Sequence, residues 1–191
     1  DGQDPQQVPY DKDAPIKLQV LQSFERSQEN LQTKYLDSLI LHSPMSSHAM
    51  TMKVWDAMQS IHQSNGTRQL GISNCYNIEV LKQLYRDATI KPTSVQNHFY
   101  QDTGYDKDVR KWCAEQGIIY QSFWTLTANP NILSSDTLSS IAHKYSKTTA
   151  QIFFRYLTQS GIIPLTGTCD LQHMQQDLSI FNLSLHLIYS L

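Results

Sequence analysis

Tyr35-Leu36-Asp37-Ser38-Leu39-Ile40-Leu41-His42-Ser43-Pro44 reads as a buried parallel strand that ends on an ionisable imidazole and runs into a proline-containing loop. In a barrel of alternating strands and helices, the side chains at the carboxyl ends of the strands face the chemistry. His42 is therefore a candidate site residue. Asp37, in the middle of this strand, is expected to be buried and structurally paired.

Working outward, the same unit recurs. Upstream, residues 1–12 are polar, hold two prolines and show no periodicity, so they read as a loop. A helix follows, with Asp13 as its cap, Pro15 in its first turn and Ile16, Val20, Phe24 and Leu31 along one stripe. Downstream, Val54, Trp55, Met58 and Ile61 form one face of a helix that Asn65-Gly66 ends, and a strand runs from Gln69 to Ser73. A helix around Ile78, Leu81, Leu84 and Tyr85 comes next, then a strand around Val95, a helix from Asp106 to Glu115 and a strand from Ile118 to Ser122. Beyond a longer loop through Pro130, helices cover Leu138 to Tyr145 and Ala150 to Leu157, followed by a short strand at Ile162-Ile163 and a helix near Met174. Strand alternating with helix at short intervals implies a parallel sheet covered by helices.

Composition narrows the function class. With 191 residues and 40% hydrophobic content, the chain can bury one sizeable core. The balance of 15 basic and 17 acidic residues, a net charge of −2, supplies no basic stripe for nucleic acid and no polybasic patch for a membrane surface. Cys75, Cys113 and Cys169 are odd in number and far apart, which argues against a disulfide framework or a zinc site and fits a reducing cytosol. His48, His62, His98, His143 and His186 lack metal-ligand spacing and default to solvated or capping roles.

The strand ending at His42, together with Gly71-Ile72-Ser73-Asn74, resembles the aldo-keto reductase family, above all its fungal members. The resemblance runs essentially through Asn182 and begins after the family's third strand. About five strands are legible, whereas a closed barrel needs eight and typically about 250 residues. The expected fold is therefore α/β, a partial (β/α)8 TIM barrel with its first strands missing. Residues 1–12 form a polar loop, 13–182 an incomplete oxidoreductase domain, and 183–191 an atypical tail in which Leu183, Leu185, Leu187, Tyr189 and Leu191 alternate with mostly polar residues.

The resemblance implies reduction of a small carbonyl compound to an alcohol with NADP, or NAD, as cofactor. His42 matches the histidine that hydrogen-bonds the substrate carbonyl, and Ser73, Asn74 and Gln96 match the residues that bind the nicotinamide carboxamide. Phe123 stands where an aromatic ring, usually tyrosine, stacks on the nicotinamide. Leu126 and Thr127 fall in the loop over the pyrophosphate. Ile163-Pro164-Leu165-Thr166-Gly167-Thr168 matches the loop that receives the adenosine phosphate, with Thr166 as a ligand and leucine at 165 where members preferring NADPH often have lysine. His173 and Asp177 are carried over for the same end of the cofactor. The family's catalytic tyrosine, lysine and aspartate have no counterpart here; Tyr10 and Lys12 sit in an unrelated loop. A domain that binds cofactor or a partner without catalysis is the alternative reading, and a truncated gene product with no role is a third.

Overall fold

The computed structural model describes residues 8–185. Residues 1–7 of the opening loop and the tail residues His186, Leu187, Tyr189 and Leu191 lie outside that range. Five strands follow in chain order across one sheet, β1 (Leu36–Leu41), β2 (Thr67–Ser73), β3 (Ser94–His98), β4 (Ile119–Phe123) and β5 (Ile162–Pro164). Among the described residues, eight α-helices precede, separate or follow the strands: α1 (Ile16–Leu31), α2 (His48–Gln63), α3 (Ile78–Asp87), α4 (Lys107–Glu115), α5 (Pro130–Leu133), α6 (Asp136–Tyr145), α7 (Thr149–Gln159) and α8 (Leu171–Ser179). The chain divides into two compact units, residues 1–95 and 96–191.

In the first unit, β1 and β2 pair in parallel, with Leu36 opposite Thr67 and Leu41 opposite Ile72. Phe24 of α1, Leu36 of β1 and Ile61 of α2 form a buried cluster, flanked by Val20 and Leu39. Val54, Trp55, Met58 and Ile61 are all buried, as the helical spacing predicts. The indole N–H of Trp55 donates to the Ile90 carbonyl at 2.9 Å, which anchors the loop after α3 to α2. Asn65, at φ 60°, turns the chain out of α2. Gly66 follows because a Cβ there would meet Ile61 Cγ2 at 2.8 Å and Phe24 Cζ at 2.9 Å. Gly71 is crowded likewise: a Cβ would overlap the Ser94 hydroxyl and approach Ile40 Cδ1, so a side chain here would overpack the sheet.

Several local expectations change in this unit. β1 is not a fully buried strand: only Leu36 is buried, and Asp37 is exposed and pairs with Arg68 at 3.3 Å on the surface. Such a pair contributes little, because both partners stay hydrated. Asp13 does not cap α1. Pro15 takes that position, Asp13's own amide donates to Asp11 Oδ1, and Gln19 Nε2 covers the Lys12 and Ala14 carbonyls. Leu31, the last residue of α1, is 66% exposed and lies outside the apolar stripe. β2 also begins two residues earlier than the pattern suggests, at Thr67.

In the second unit, β4 and β5 pair in parallel through Tyr120 with Ile162, Gln121 with Ile163 and Ser122 with Pro164. Period-two alternation sorts the side chains. Asn97, Phe99, Tyr120, Ser122 and Ile162 are buried, whereas Gln96, His98, Ile119, Gln121, Phe123 and Ile163 are half-buried or exposed. The residues 101–106 form a 3₁₀ turn, so Asp106 precedes α4 rather than starting it, and its φ of 52° is left-handed. The loop through Pro130 contains the single helical turn α5, started by that proline. Thr148 and Gln151 form a capping box on α7.

Asp106 is buried, and its Oδ2 accepts from Asn97 Nδ2 at 2.7 Å and from the Tyr120 hydroxyl at 2.8 Å. Burial pushes its carboxyl above the ordinary carboxylate range, opposed by those hydrogen bonds and by Arg110. The native state thus holds this proton more tightly than the unfolded chain. The associated stability is full below the unfolded pKa and is lost as pH climbs through the raised native value. Asp106→Asn, which keeps a carbonyl acceptor for both donors, is expected to gain stability relative to the wild type between about pH 4 and pH 7. Asp106→Ala is expected to lose about 3 kcal/mol at either pH, because two buried donors lose this acceptor. Urea denaturation at the two pH values measures both; equal stability of the Asn and Ala variants would contradict the role of the acceptor.

Candidate active site

In the first unit, His42 follows the last residue of β1, and its side chain is exposed. Asn74 follows the last residue of β2 in a left-handed conformation, φ 51°, which asparagine tolerates better than most residues. Its Nδ2 donates to the His42 carbonyl at 2.8 Å and to Ser73 Oγ at 3.1 Å, and its Oδ1 accepts from the Tyr76 hydroxyl at 3.0 Å. The structure thus joins His42, Ser73 and Asn74 in one hydrogen-bonded corner. Both amide hydrogens of Asn74 are engaged in the corner itself, and Oδ1 retains its second lone pair for another donor.

In the second unit, a groove of about 730 Å³ is lined by Phe123, Trp124, Thr125, Leu126, Thr127, Phe154, Leu165, Thr166 and Gly167. It brings together the stacking, pyrophosphate and adenosine-phosphate candidates, Phe123, Leu126, Thr127 and Thr166. Four hydrogen bonds shape it. The Phe99 amide donates to the Phe123 carbonyl at 3.1 Å, and the Leu165 amide to the Ser122 carbonyl at 2.7 Å. Buried Asn129 Nδ2 donates to the Phe99 carbonyl at 2.7 Å and the Thr125 carbonyl at 2.9 Å, which pins the loop from the inside.

Gln96 Nε2 donates to Gln121 Oε1 at 3.0 Å on the half-exposed face of β3 and β4. The Thr166 hydroxyl donates to Asp177 Oδ2 at 2.8 Å, so Asp177 reaches the groove's edge through Thr166 without lining it. His173 is exposed in the first turn of α8, and its backbone amide bonds to the cap, Asp170 Oδ1, at 2.9 Å. That bond holds the Asp170 carboxyl below the usual range. Leu165 lines the groove, and the lining includes no cation.

Sequence reasoning missed the ring array beside Phe123. His98, read as solvated or capping, is half-buried and stacks on Tyr100 with centroids 4.0 Å apart and on Phe123 at 5.5 Å, each with an interplanar angle of 17°. Trp124 meets His98 edge-on at 4.7 Å and Phe123 edge-on at 6.4 Å, and is 64% exposed. The available signal was period two: His98 shares a strand face with Gln96. Burial lowers the His98 pKa against the opposing pull of Asp102 and Asp106. His48 and His62 also depart from a solvated default, since His48 Nε2 lies 2.9 Å from Asp87 Oδ2 and His62 Nε2 lies 3.1 Å from the Arg68 carbonyl, whereas His143 is exposed and His186 lies outside the described residues. Among the described residues, no group of three or more His, Cys, Asp or Glu could hold a metal, and no helix is long and apolar enough to cross a membrane.

The groove-lining strand ends, the His42 corner and the alternating fold all fall within residues 5–187, which match the model of the Aldo/keto reductase family. The chain belongs to the aldo/keto reductase family. It is 29% identical over 165 residues to a glyoxal reductase of Bacillus subtilis, which covers 86% of this chain and 58% of that protein. It is 30% identical over 189 residues to an NAD(P)H-dependent 6'-deoxychalcone synthase of Glycine max, covering 87% and 58%. The crystal structure of an aldo/keto reductase from Brucella melitensis superposes with a TM-score of 0.79 at 24% identity, covering 88% of this chain and 64% of that one, and shares the fold. The aldo/keto reductase chain described here thus spans rather more than half the length of these relatives.

The corner at Asn74 yields a test of its own. Asn74→Ala loses the tether to the His42 carbonyl and places an alanine at φ 51°, so it is expected to cost about 2 kcal/mol. Asn74→Gly removes the same tether and relieves the backbone, and is expected to cost about half as much. Chemical denaturation of both variants checks this; equal losses would show that the left-handed backbone carries no penalty.

Proposed function

We propose that the chain binds a nicotinamide dinucleotide along the groove from Phe123 to Gly167 and that its family activity is reduction of a small aldehyde or ketone to an alcohol. The groove carries this reading. Its volume lies within the usual range for small-molecule sites, and its lining combines an aromatic face with loop hydroxyls and backbone amides. These groups fit the cofactor: Phe123 for the nicotinamide ring, Leu126 and Thr127 for the pyrophosphate, Thr166 for the adenosine end. Ser73, Asn74 and Gln96 are assigned to the carboxamide, with Asp177 and His173 at the adenosine end. The three cysteines are free thiols, consistent with a cytosolic setting.

When bound, the cofactor supplies hydride to the carbonyl carbon. His42 is assigned to donate a hydrogen bond to the carbonyl oxygen, where negative charge develops as hydride arrives. A proton must also reach that oxygen. None of the residues assigned above delivers that proton, and a general acid is worth about 10²- to 10⁴-fold in rate.

The corner limits what Asn74 can give a carboxamide: both amide hydrogens are spent on His42 and Ser73, which leaves Oδ1 to accept. A second reading is binding without catalysis. With no proton donor assigned among these residues, binding and turnover are expected to separate. Titration of the protein into NADPH, read by cofactor fluorescence, is expected to show saturable binding. NADPH oxidation with a reactive aromatic aldehyde is expected to stay at background. Turnover that disappears in His42→Ala would overturn the second expectation and assign proton delivery to a group other than the family tyrosine.

Cofactor choice follows from charge. At the adenosine end the Thr166 hydroxyl donates to the carboxylate of Asp177 and keeps only acceptor capacity in that arrangement, and Leu165 adds no cation to meet a 2′-phosphate. Discrimination between NADPH and NADH is expected to be weak. Leu165→Lys is expected to shift the ratio of the two affinities toward NADPH by about threefold to fivefold, the scale of an exposed ion pair. Parallel titrations with the two cofactors measure it.

A further inference from the structure

We propose that His98 is a positioning residue for the nicotinamide ring, acting through Phe123. The inference rests on the proposed cofactor site and adds a residue to it. Phe123 has no hydroxyl through which a hydrogen bond could fix its plane, so its orientation depends on what packs against its ring. The structure supplies that packing. Tyr100, His98 and Phe123 form a row of rings in which each neighbour is inclined by 17°, at 4.0 and 5.5 Å between centroids. The indole of Trp124 closes the side of the row, edge-on to His98 at 4.7 Å and to Phe123 at 6.4 Å.

The row is held in register by backbone as well as rings. His98 is the last residue of β3 and Phe123 the last of β4, and the amide of Phe99 donates to the Phe123 carbonyl at 3.1 Å. Alternation then places His98 and Phe123 on the same half-exposed face. Offset stacking is the favoured geometry for such pairs. The imidazole therefore defines the angle at which Phe123 meets the groove, and the nicotinamide extends the row by one ring. Burial, which disfavours the imidazolium, keeps His98 suited to ring stacking at neutral pH.

The test compares a ligand that carries nicotinamide with one that does not. His98→Ala is expected to weaken NADPH binding by about threefold to tenfold, the scale of one aromatic pair, and to leave the affinity for ADP-ribose unchanged. His98→Phe, which restores a flat ring without an ionisable group, is expected to return NADPH affinity to within about twofold of the wild type. Titrations by calorimetry, with thermal melting of each variant, provide the readout. Equal weakening of NADPH and ADP-ribose in His98→Ala, or no rescue by phenylalanine in a variant that melts like the wild type, would overturn the proposal. Unchanged NADPH affinity in His98→Ala would also overturn it while leaving the cofactor site intact. A wild-type chain that bound neither nucleotide would overturn the cofactor site and this assignment with it.

Discussion

One carboxylate oxygen organises the second unit. Asp106 Oδ2 accepts from Asn97 on β3 and from Tyr120 on β4, so the two strands are fastened on the same side to the start of α4. A strand's side chains alternate between faces, and fixing Asn97 and Tyr120 on the buried side fixes Gln96, His98, Gln121 and Phe123 on the other. A register slip of one residue would send Phe123 into the helix layer. The buried acceptor is costly to desolvate, and two good donors offset that cost. What the bond contributes is a choice of face, and every candidate contact of this unit depends on that choice.

The face so defined is chemically mixed. The Gln96–Gln121 amide pair lies beside a row of rings, and the chain then turns at Trp124 into a loop pinned by Asn129. Amides can meet a carboxamide, rings can meet a ring, and a loop that lines a groove with hydroxyls can meet phosphate oxygens. In the first unit the same logic holds on a smaller scale. Asn74 ties the ends of β1 and β2 together through the His42 carbonyl, so the imidazole projects from a backbone whose position is set by hydrogen bonding rather than by burial of the ring itself.

Most of the fold was legible because its signals are local and periodic. Apolar residues at helical spacing marked α2, α3, α6 and α7, and short apolar runs between turn residues marked every strand. What was not legible depended on partners distant in sequence. Asp37 looks buried because its neighbours are apolar, but β1 lies half-open and the carboxylate reaches Arg68 at the surface. Asp13 looks like a cap, yet Gln19 and Asp11 satisfy the local backbone instead. For the site, Phe123, Leu126, Thr127 and Thr166 were legible through their motif and do share one groove. His98 and Trp124 were not: period two puts His98 on the Gln96 face, but its stacking on Tyr100 and Phe123 and the edge-on contact of Trp124 depend on the pairing of β3 with β4. His173, by contrast, was carried over at a position that the structure leaves on the exposed first turn of α8.

Both units leave a strand through one left-handed residue, Asn74 after β2 and Trp124 after β4. The two are not equivalent. Asparagine visits this conformation readily, whereas for a bulky aromatic it costs about 1–2 kcal/mol. At Trp124 that cost must be offset locally, and the indole is too exposed for burial to do it. The edge-on contacts with His98 and Phe123, each of order 0.5–1.5 kcal/mol, offset part of it, beside the Ala128 amide that donates to the Trp124 carbonyl at 2.9 Å. The strained turn and the ring row therefore depend on each other: the turn puts the indole against the row, and the row keeps the turn populated. A change that dissolves the stack removes one support of the turn and leaves its backbone hydrogen bonds, so the orientation of Phe123 is coupled in part to the loop that follows it.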